Sequence, residues 1–260
     1  MKKNIRVSAA MAIAFFAVTL AGQQSNAQSF GVSFVDNNNV NVTGPAGVIS
    51  IDNWNNINST YTTGSILADD GFNTATLTMS GSAGQWHSGG TTIDGGNGSL
   101  MDGYRDYGSG GGGTSVISGL TGSSYSVYLY AYGDVTRPGN GGDWLPNYSV
   151  NGTTYYAAML GSGTSTFNTT ATTVGGAFSG FVQATTFGAN FNTATMLATD
   201  FGNYIRIDNV TPISGAITIV AEANTQTWRS PLNGIEIVPC LNRQRQHEQN
   251  QNCEHEDSHY

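Results

Sequence analysis

Short runs of alternating apolar and polar residues follow one another along most of this chain, and they predict β-strands rather than helices. The clearest run covers positions 124–132, where odd positions are aliphatic or Tyr and even positions are Ser or Tyr. Because side chains alternate between the two faces of a strand, one face is predicted to be core. The other face carries Tyr128, Tyr130 and Tyr132, which either line a binding surface or pack beneath a second layer.

A long polar loop follows this strand. It runs from Asp134 to Asn147, is rich in Gly, Pro, Asn and Asp, and precedes a strand that ends at the hairpin signal Asn151-Gly152. Loops that exceed what a fold requires often hold binding groups on a rigid sheet. The loop therefore supplies the first candidate ligand-binding residues, which are Arg137, Asp143 and Trp144.

The remaining pattern predicts an all-β fold, an antiparallel β-sandwich of nine or ten short strands in one domain, residues 28–239. One turn of helix is predicted around Leu100. Besides the central strand and its return at 148–150, the predicted strands are 29–35, 72–80, 114–117, 164–169, 178–186, 203–210, 216–222 and 234–238, and residues 48–51 are a candidate for one further brief strand.

The N-terminus has the features of a secretion signal. Lys2, Lys3 and Arg6 precede a short apolar segment, and the small residues of Ser25-Asn26-Ala27 form an acceptable cleavage site. The apolar segment is too short to span a bilayer, and we find no other candidate transmembrane segment. We therefore expect residues 1–27 to be a signal peptide and the mature chain to be secreted, extracellular or on the cell surface.

The charge content restricts the classes of binding partner that we expect. Only 10% of residues are charged, the formal net charge is −8, and Gly occurs 35 times. Residues 28–239 contain no Lys and only four Arg. Such a chain repels phosphate backbones, so we expect no nucleic-acid partner.

A second candidate cluster lies in the glycine-rich segment 81–113, where Trp86, Tyr104 and Asp106 occur. Sugar binding requires flat aromatic faces together with groups that form hydrogen bonds to hydroxyls. The aromatic faces and the hydrogen-bonding groups are both supplied by Trp86, Tyr104 and Asp106 together with the loop residues. Burial of the aromatic rings in the core is the alternative.

Clusters of Asp and Asn offer oxygen ligands for one structural calcium ion, and their alternative role is to form turns. No other cofactor is expected. The clusters are Asp36–Asn39, Asp69–Asp70, Asp94–Asn97 and Asp102–Asp106. A pair of carboxylates could also act as acid and base, but the only histidine in residues 28–239 is His87, and no catalytic motif is present.

The polar tail, residues 240–260, contains both cysteines, Cys240 and Cys253. In a secreted protein a disulfide between them is the favoured interpretation. A zinc site with His247, His255 or His259 is the weaker alternative, because no tight ligand pair is present. A disordered tail without a role is a third possibility.

The segment LNGIEIV, residues 232–238, resembles the closing strand of jelly-roll carbohydrate-binding domains of the galactose-binding-like and malectin-like group. Together with GSLMDGY (98–104), VYLYAYGD (127–134) and YSVNGTTY (148–155), it resembles a group of secreted bacterial β-sandwich proteins that often end in a PEP-CTERM sorting signal. The resemblance implies a jelly-roll, a surface location and a glycan partner. The chain departs from this group after Pro239, where the sorting signal is missing.

Three functions remain open on these grounds. The favoured one is a non-catalytic protein that binds a polysaccharide or cell-surface glycan, or acts as an adhesin. The second is a structural matrix or surface-coat protein with no small ligand. The least favoured is a glycoside hydrolase, which would need two facing carboxylates in a cleft.

Overall fold

The structure is a computed structural model, and it describes residues 28–35, 40–58, 62–81, 84–107, 112–133, 145–162, 165–167, 172–174, 176–188, 195–222 and 229–240. In these ranges one short α-helix, α1 (Asn97–Asp102), and one 3₁₀ turn (Ala198–Asp200) accompany seventeen strands. None of the helices described is long and apolar enough to cross a membrane. The strands are β1 (Phe30–Phe34), β2 (Trp54–Ile57), β3 (Thr63–Leu67), β4 (Thr74–Gly81), β5 (Gly84–His87), β6 (Gly103–Tyr107), β7 (Gly113–Ser118), β8 (Tyr125–Tyr130), β9 (Asn147–Val150), β10 (Thr153–Ala157), β11 (Ser165–Phe167), β12 (Thr172–Val174), β13 (Thr186–Phe187), β14 (Tyr204–Val210), β15 (Ala216–Glu222), β16 (Ser230–Leu232) and β17 (Gly234–Pro239).

Two large sheets form a sandwich. Sheet 1 has the order β14–β8–β17–β1–β2, and sheet 2 has the order β13–β10–β9–β15–β7–β4–β3. Eight of these strands pair in a nested way, β1 with β17, β7 with β15, β8 with β14, and β9 with β10. This nesting is the strand arrangement of a jelly-roll, so the predicted fold class is confirmed.

The main core lies between the two sheets and follows the alternation seen in the sequence. Val127 and Leu129 of β8 are fully buried, and so are Ile217 of β15 and Leu77 of β4. On β4 the alternate Thr residues face solvent, as their spacing predicts. The predicted hairpin is also confirmed, since Asn151 and Gly152 adopt positive φ angles of 50° and 85° between β9 and β10.

The outer face of sheet 1 is covered rather than exposed. Tyr128, Tyr130 and Tyr132 are each at most 2% exposed and form a second hydrophobic cluster. The cluster also includes Leu100 and Met101 of α1, together with Phe178 and Phe181 from the segment that precedes β13. The tyrosines therefore pack beneath a covering layer, which is the second of the two alternatives for this stripe.

Two predicted strands are wrong. Residues 47–50 form a turn closed by a bridge between Ala46 and Ile51, and the strand begins only at Trp54. The turn instead packs on the outer face of sheet 1, where the backbone N–H of Val48 donates to the hydroxyl group of Tyr130 at 2.7 Å. Residues 178–186 are mostly irregular because Phe178 and Phe181 pack side by side on the tyrosine stripe.

The estimate of nine or ten strands is also too low. The strands that the pattern did not predict are β2, β3, β10, β12 and β13, together with the three strands of a third sheet, which has the order β16–β6–β5. The predicted signal peptide lies outside the described residues, as does the tail after Cys240, so both stay predictions.

Candidate functional site

Trp86 lies on the surface of the molecule, on β5, the edge strand of the three-stranded sheet. It is 49% exposed, whereas Trp54, the other tryptophan among the described residues, is 8% exposed and packs on the tyrosine cluster. An indole at this exposure presents a large apolar surface to solvent. Of the two described tryptophans, Trp86 is therefore the one placed to contact a ligand.

A glycine creates the space in which the indole lies. Gly84 and Trp86 are two positions apart, so their side chains would project from the same face of β5. A Cβ atom added at Gly84 would lie 2.5 Å from Nε1 of Trp86 and 3.1 Å from Cδ1. The pyrrole ring of Trp86 thus rests directly on the backbone of Gly84.

The structure places Tyr104 and Asp106 on β6, the strand that pairs with the strand of Trp86. Trp86 is the ladder partner of Tyr104, and Gly84 is the partner of Asp106. Tyr104 is only 1% exposed and Asp106 only 6%, and Asp106 forms an ion pair with Arg229 at 3.2 Å. Both residues therefore lie beneath the surface, where they support the strand that carries Trp86. Their predicted role in ligand binding stays a prediction.

Arg137, Asp143 and Trp144 lie outside the described residues, so their predicted role is untested. The structure describes the chain up to the start of their loop. There, the carbonyl group of Gly133 accepts hydrogen bonds from the backbone N–H and the hydroxyl of Ser162. The same hydroxyl donates to the carbonyl group of Ser88, the residue that follows β5. The loop thus begins beside the end of the strand that holds Trp86.

Two Asp residues of the predicted calcium clusters, Asp94 and Asp70, form turns. Oδ1 of Asp94 accepts hydrogen bonds from the backbone N–H groups of Gly96, Gly98 and Ser99. Oδ1 of Asp70 accepts from two backbone N–H groups, and these bonds lower its pKa. No three His, Cys, Asp or Glu side chains of the described ranges lie together as a metal cluster. A calcium ion stays a prediction.

A shallow cavity of about 430 Å³ lies beside Asp94. Residues 43–45 and 94–97 line it, and their polar groups are largely engaged with one another. For example, the carbonyl group of Gly95 accepts hydrogen bonds from Thr43 and Gly44. The backbone groups that line the cavity are therefore mostly hydrogen-bonded within the protein and leave few donors or acceptors for a ligand.

A buried acid that the sequence pattern did not indicate, Glu236, lies on the outer face of sheet 1. It is 0% exposed and accepts a hydrogen bond at Oε2 from the hydroxyl group of Tyr130. Oε1 has no hydrogen-bond partner among the residues that the structure describes. Burial raises the pKa of Glu236 to about 7, although bonds from Tyr130 and from the backbone of Ile49 act in the opposite direction. The alternation in LNGIEIV places Glu236 on that face, but nothing in the pattern shows that residues 47–50 cover it.

Cys240 is half buried, and its Sγ lies 3.6 Å from Oγ of Ser126. It carries no disulfide within the described part of the chain. Its predicted partner Cys253 lies outside that part, so the disulfide stays a prediction.

No protein-family model matches this chain, and no curated relative matches it. Among solved structures, an exo-β-1,3-galactanase from Phanerochaete chrysosporium with galactose has a TM-score of 0.29 and 15% identity, over 69% of this chain and 30% of that one. The ANXUR2 extracellular domain from Arabidopsis thaliana has a TM-score of 0.35 and 14% identity, over 82% and 41%. The chain spans less than half the length of either protein. Such TM-scores support no argument about function.

Proposed function

We propose that this chain is a secreted, non-catalytic jelly-roll protein that binds a polysaccharide or cell-surface glycan through the surface around Trp86. The exposed indole of Trp86 carries this proposal. An indole face covers the apolar side of a pyranose ring, and neighbouring polar groups form hydrogen bonds to its hydroxyls.

The setting of Trp86 supports a rigid binding platform. Gly84 lets the indole lie against the strand, and the pairing of β5 with β6 fixes the backbone beneath it. A site on a paired strand loses less side-chain freedom on binding than a site on a free loop. The loop that holds Arg137, Asp143 and Trp144 begins beside this strand, so its residues are candidates to complete the site.

The proposed function is non-catalytic because the carboxylates near this surface are engaged within the protein. Asp106 pairs with Arg229, and Asp102 accepts a hydrogen bond from Thr91 at 2.8 Å. The secreted location rests on the N-terminal pattern of residues 1–27. Kinship with PEP-CTERM-type surface proteins is proposed on the sequence resemblance alone.

The test is retention of the purified full chain on a panel of immobilised neutral and acidic polysaccharides, with and without a chelator. We expect at least one glycan to retain the wild-type protein and the Trp86→Ala variant to lose that retention. Phe72→Ala is the matched control, because Phe72 is 89% exposed but lies in the turn between β3 and β4. Failure of a folded wild-type protein to bind any glycan would contradict the proposal.

A structural coat protein without a small ligand is the second candidate, and the open face of sheet 2 favours it. Strands β3 and β4 contain no charged residue, and their exposed side chains are mainly hydroxyl-bearing. An uncharged β surface with an edge strand can associate with other copies of the chain. Concentration-dependent assembly in light scattering, without glycan retention, would support this function.

A further inference from the structure

Arg105 lies in the middle of β6, the central strand of the three-stranded sheet. It is opposite Gln85 on β5 and Leu232 on β16. Its side chain projects from the same face as that of Tyr107, which belongs to the main core. Arg105 is only 7% exposed, so its guanidinium group is inside the protein.

The contacts of this guanidinium group are almost entirely with weak partners. Its Cζ atom lies 5.9 Å from the ring centroid of Phe34 and 6.0 Å from that of Tyr107. Nη1 donates to Sδ of Met79 at 3.8 Å, and a thioether is a weak acceptor. Nε is buried without a hydrogen-bond partner among the described residues. One donor atom of the group is therefore unpaired, and another contacts only a sulfur atom.

A buried arginine without a described carboxylate partner is unexpected in such an acidic chain. The chain has 17 acidic and 9 basic residues, yet no carboxylate of the described residues lies within ion-pair distance of Arg105. The ion pairs found there join Arg206 to Asp208 and Arg229 to Asp106. Contact with aromatic rings offsets only part of the free-energy cost of burying a charged group. That cost falls further when an anion pairs with the buried charge.

We propose that Arg105 anchors a binding site for a single small carboxylate, of the kind carried by a sugar acid. A carboxylate has two oxygen atoms that match the fork of donors on the edge of a guanidinium group. Nε has no hydrogen-bond partner among the described residues and Nη1 contacts only a thioether, so donors of the guanidinium group are available to the ligand. The net charge of −8 disfavours polyanions more than a ligand with one negative charge.

Met79 is the side chain that gives way when the carboxylate binds. Its sulfur atom contacts Nη1, the atom that a ligand oxygen would take as a donor. An unbranched methionine side chain moves more easily than a branched or aromatic one. The site is distinct from the Trp86 surface, because Arg105 pairs with Gln85 and projects from the opposite face of the sheet to Trp86. The inference therefore does not rest on the proposed glycan binding.

The test measures the melting temperature of the full chain against increasing acetate, D-glucuronate and D-glucose at constant ionic strength. We expect D-glucuronate to raise the melting temperature in a saturable way, by about 5 °C at high occupancy, and D-glucose to leave it unchanged. An equal effect of acetate would mean that the carboxylate group alone is recognised. A lack of effect of acetate would mean that the sugar ring contributes.

Variants decide whether Arg105 is responsible. Arg105→Met should abolish the shift, and Arg206→Met, which removes an exposed and paired arginine, should retain it. Arg105→Lys keeps the charge but loses the fork, so calorimetry should show affinity for D-glucuronate weakened about tenfold. If Arg105→Met does not fold, the Arg105→Lys variant tests the role of Arg105 instead. A saturable shift that is the same in wild type and Arg105→Lys would overturn the proposal, and so would no shift with either carboxylate.

Discussion

The hydroxyl group of Tyr130 donates a hydrogen bond to Oε2 of Glu236, and both side chains are fully buried. The same hydroxyl accepts a bond from the backbone N–H of Val48 at 2.7 Å, in the turn that covers them. Glu236 and Tyr130 thus connect neighbouring strands of sheet 1 to its covering layer. Burial raises the pKa of Tyr130, and the neighbouring Glu236 adds to that effect.

This pair makes the stability of the protein depend on pH. The pKa of Glu236 rises from 4.5 to about 7 on folding, so the folded state prefers the protonated acid. The stabilising contribution is fully present below about pH 4.5 and is lost as the pH rises through 7, on the order of 3 kcal/mol in total. We expect urea denaturation to show higher stability at pH 5.5 than at pH 8.5.

Glu236→Gln isolates this effect, because a neutral amide does not titrate in that range. The variant should show a much smaller loss of stability between pH 5.5 and pH 8.5. Partial burial opposes ionisation of Asp208, but bonds from Ser126 and Arg206 lower its pKa overall, so its stabilising contribution is complete at pH 5.5 and is lost only at more acidic pH. An equally steep loss of stability in wild type and Glu236→Gln would show that another group is responsible.

Asn233→Asp is predicted to destabilise the protein severely. The buried Nδ2 of Asn233 donates to three carbonyl groups at 3.0 Å, those of Met101, Gly103 and Tyr132. A carboxylate would place a negative oxygen against three acceptors in the core, at a cost of about 3 kcal/mol or more. Thermal unfolding should therefore show a large drop in melting temperature.

Asn209→Asp is the matched control for this substitution. Asn209 is exposed and has a φ angle of 59°, a conformation that Asp also tolerates. The melting temperature of the Asn209→Asp variant should differ little from that of the wild type. Similar drops in the two variants would mean that the hydrogen bonds of Asn233 are not the cause.

Gly84→Ala is predicted to disturb the Trp86 surface without disturbing the fold. The new Cβ atom would lie 2.5 Å from Nε1 of Trp86, so the indole must move away from the strand. The melting temperature should stay close to that of wild type, while retention on the recognised glycan falls. Gly188→Ala, where an added Cβ has no neighbour within 4 Å, should change neither.

The fold was predictable because alternation marks strands with one buried face. The residues of β4 and β15 alternate in the structure as they do in the sequence. Residues 48–51 and 178–186 misled the prediction because they are apolar for another reason. They cover the tyrosine stripe as irregular segments, and strand alternation contains no information about a third layer.

The candidate site was predictable in part. The chemistry of an aromatic residue in a glycine-rich segment indicated Trp86, and the structure exposes it. The burial of Tyr104 and Asp106 was not predictable, because it depends on neighbours distant in sequence. Glu236 and Arg105 were missed for a related reason, since their importance comes from partners that they lack.

Calorimetric titration of the full chain with an oligosaccharide of the retained glycan tests the central claim most directly. Trp86→Ala should weaken affinity about tenfold or more, and Trp86→Phe should weaken it less, because a phenyl ring preserves part of the stacking surface. Both variants should melt near the wild-type temperature, since Trp86 is half exposed. An affinity unchanged in Trp86→Ala would contradict the claim that this surface binds carbohydrate.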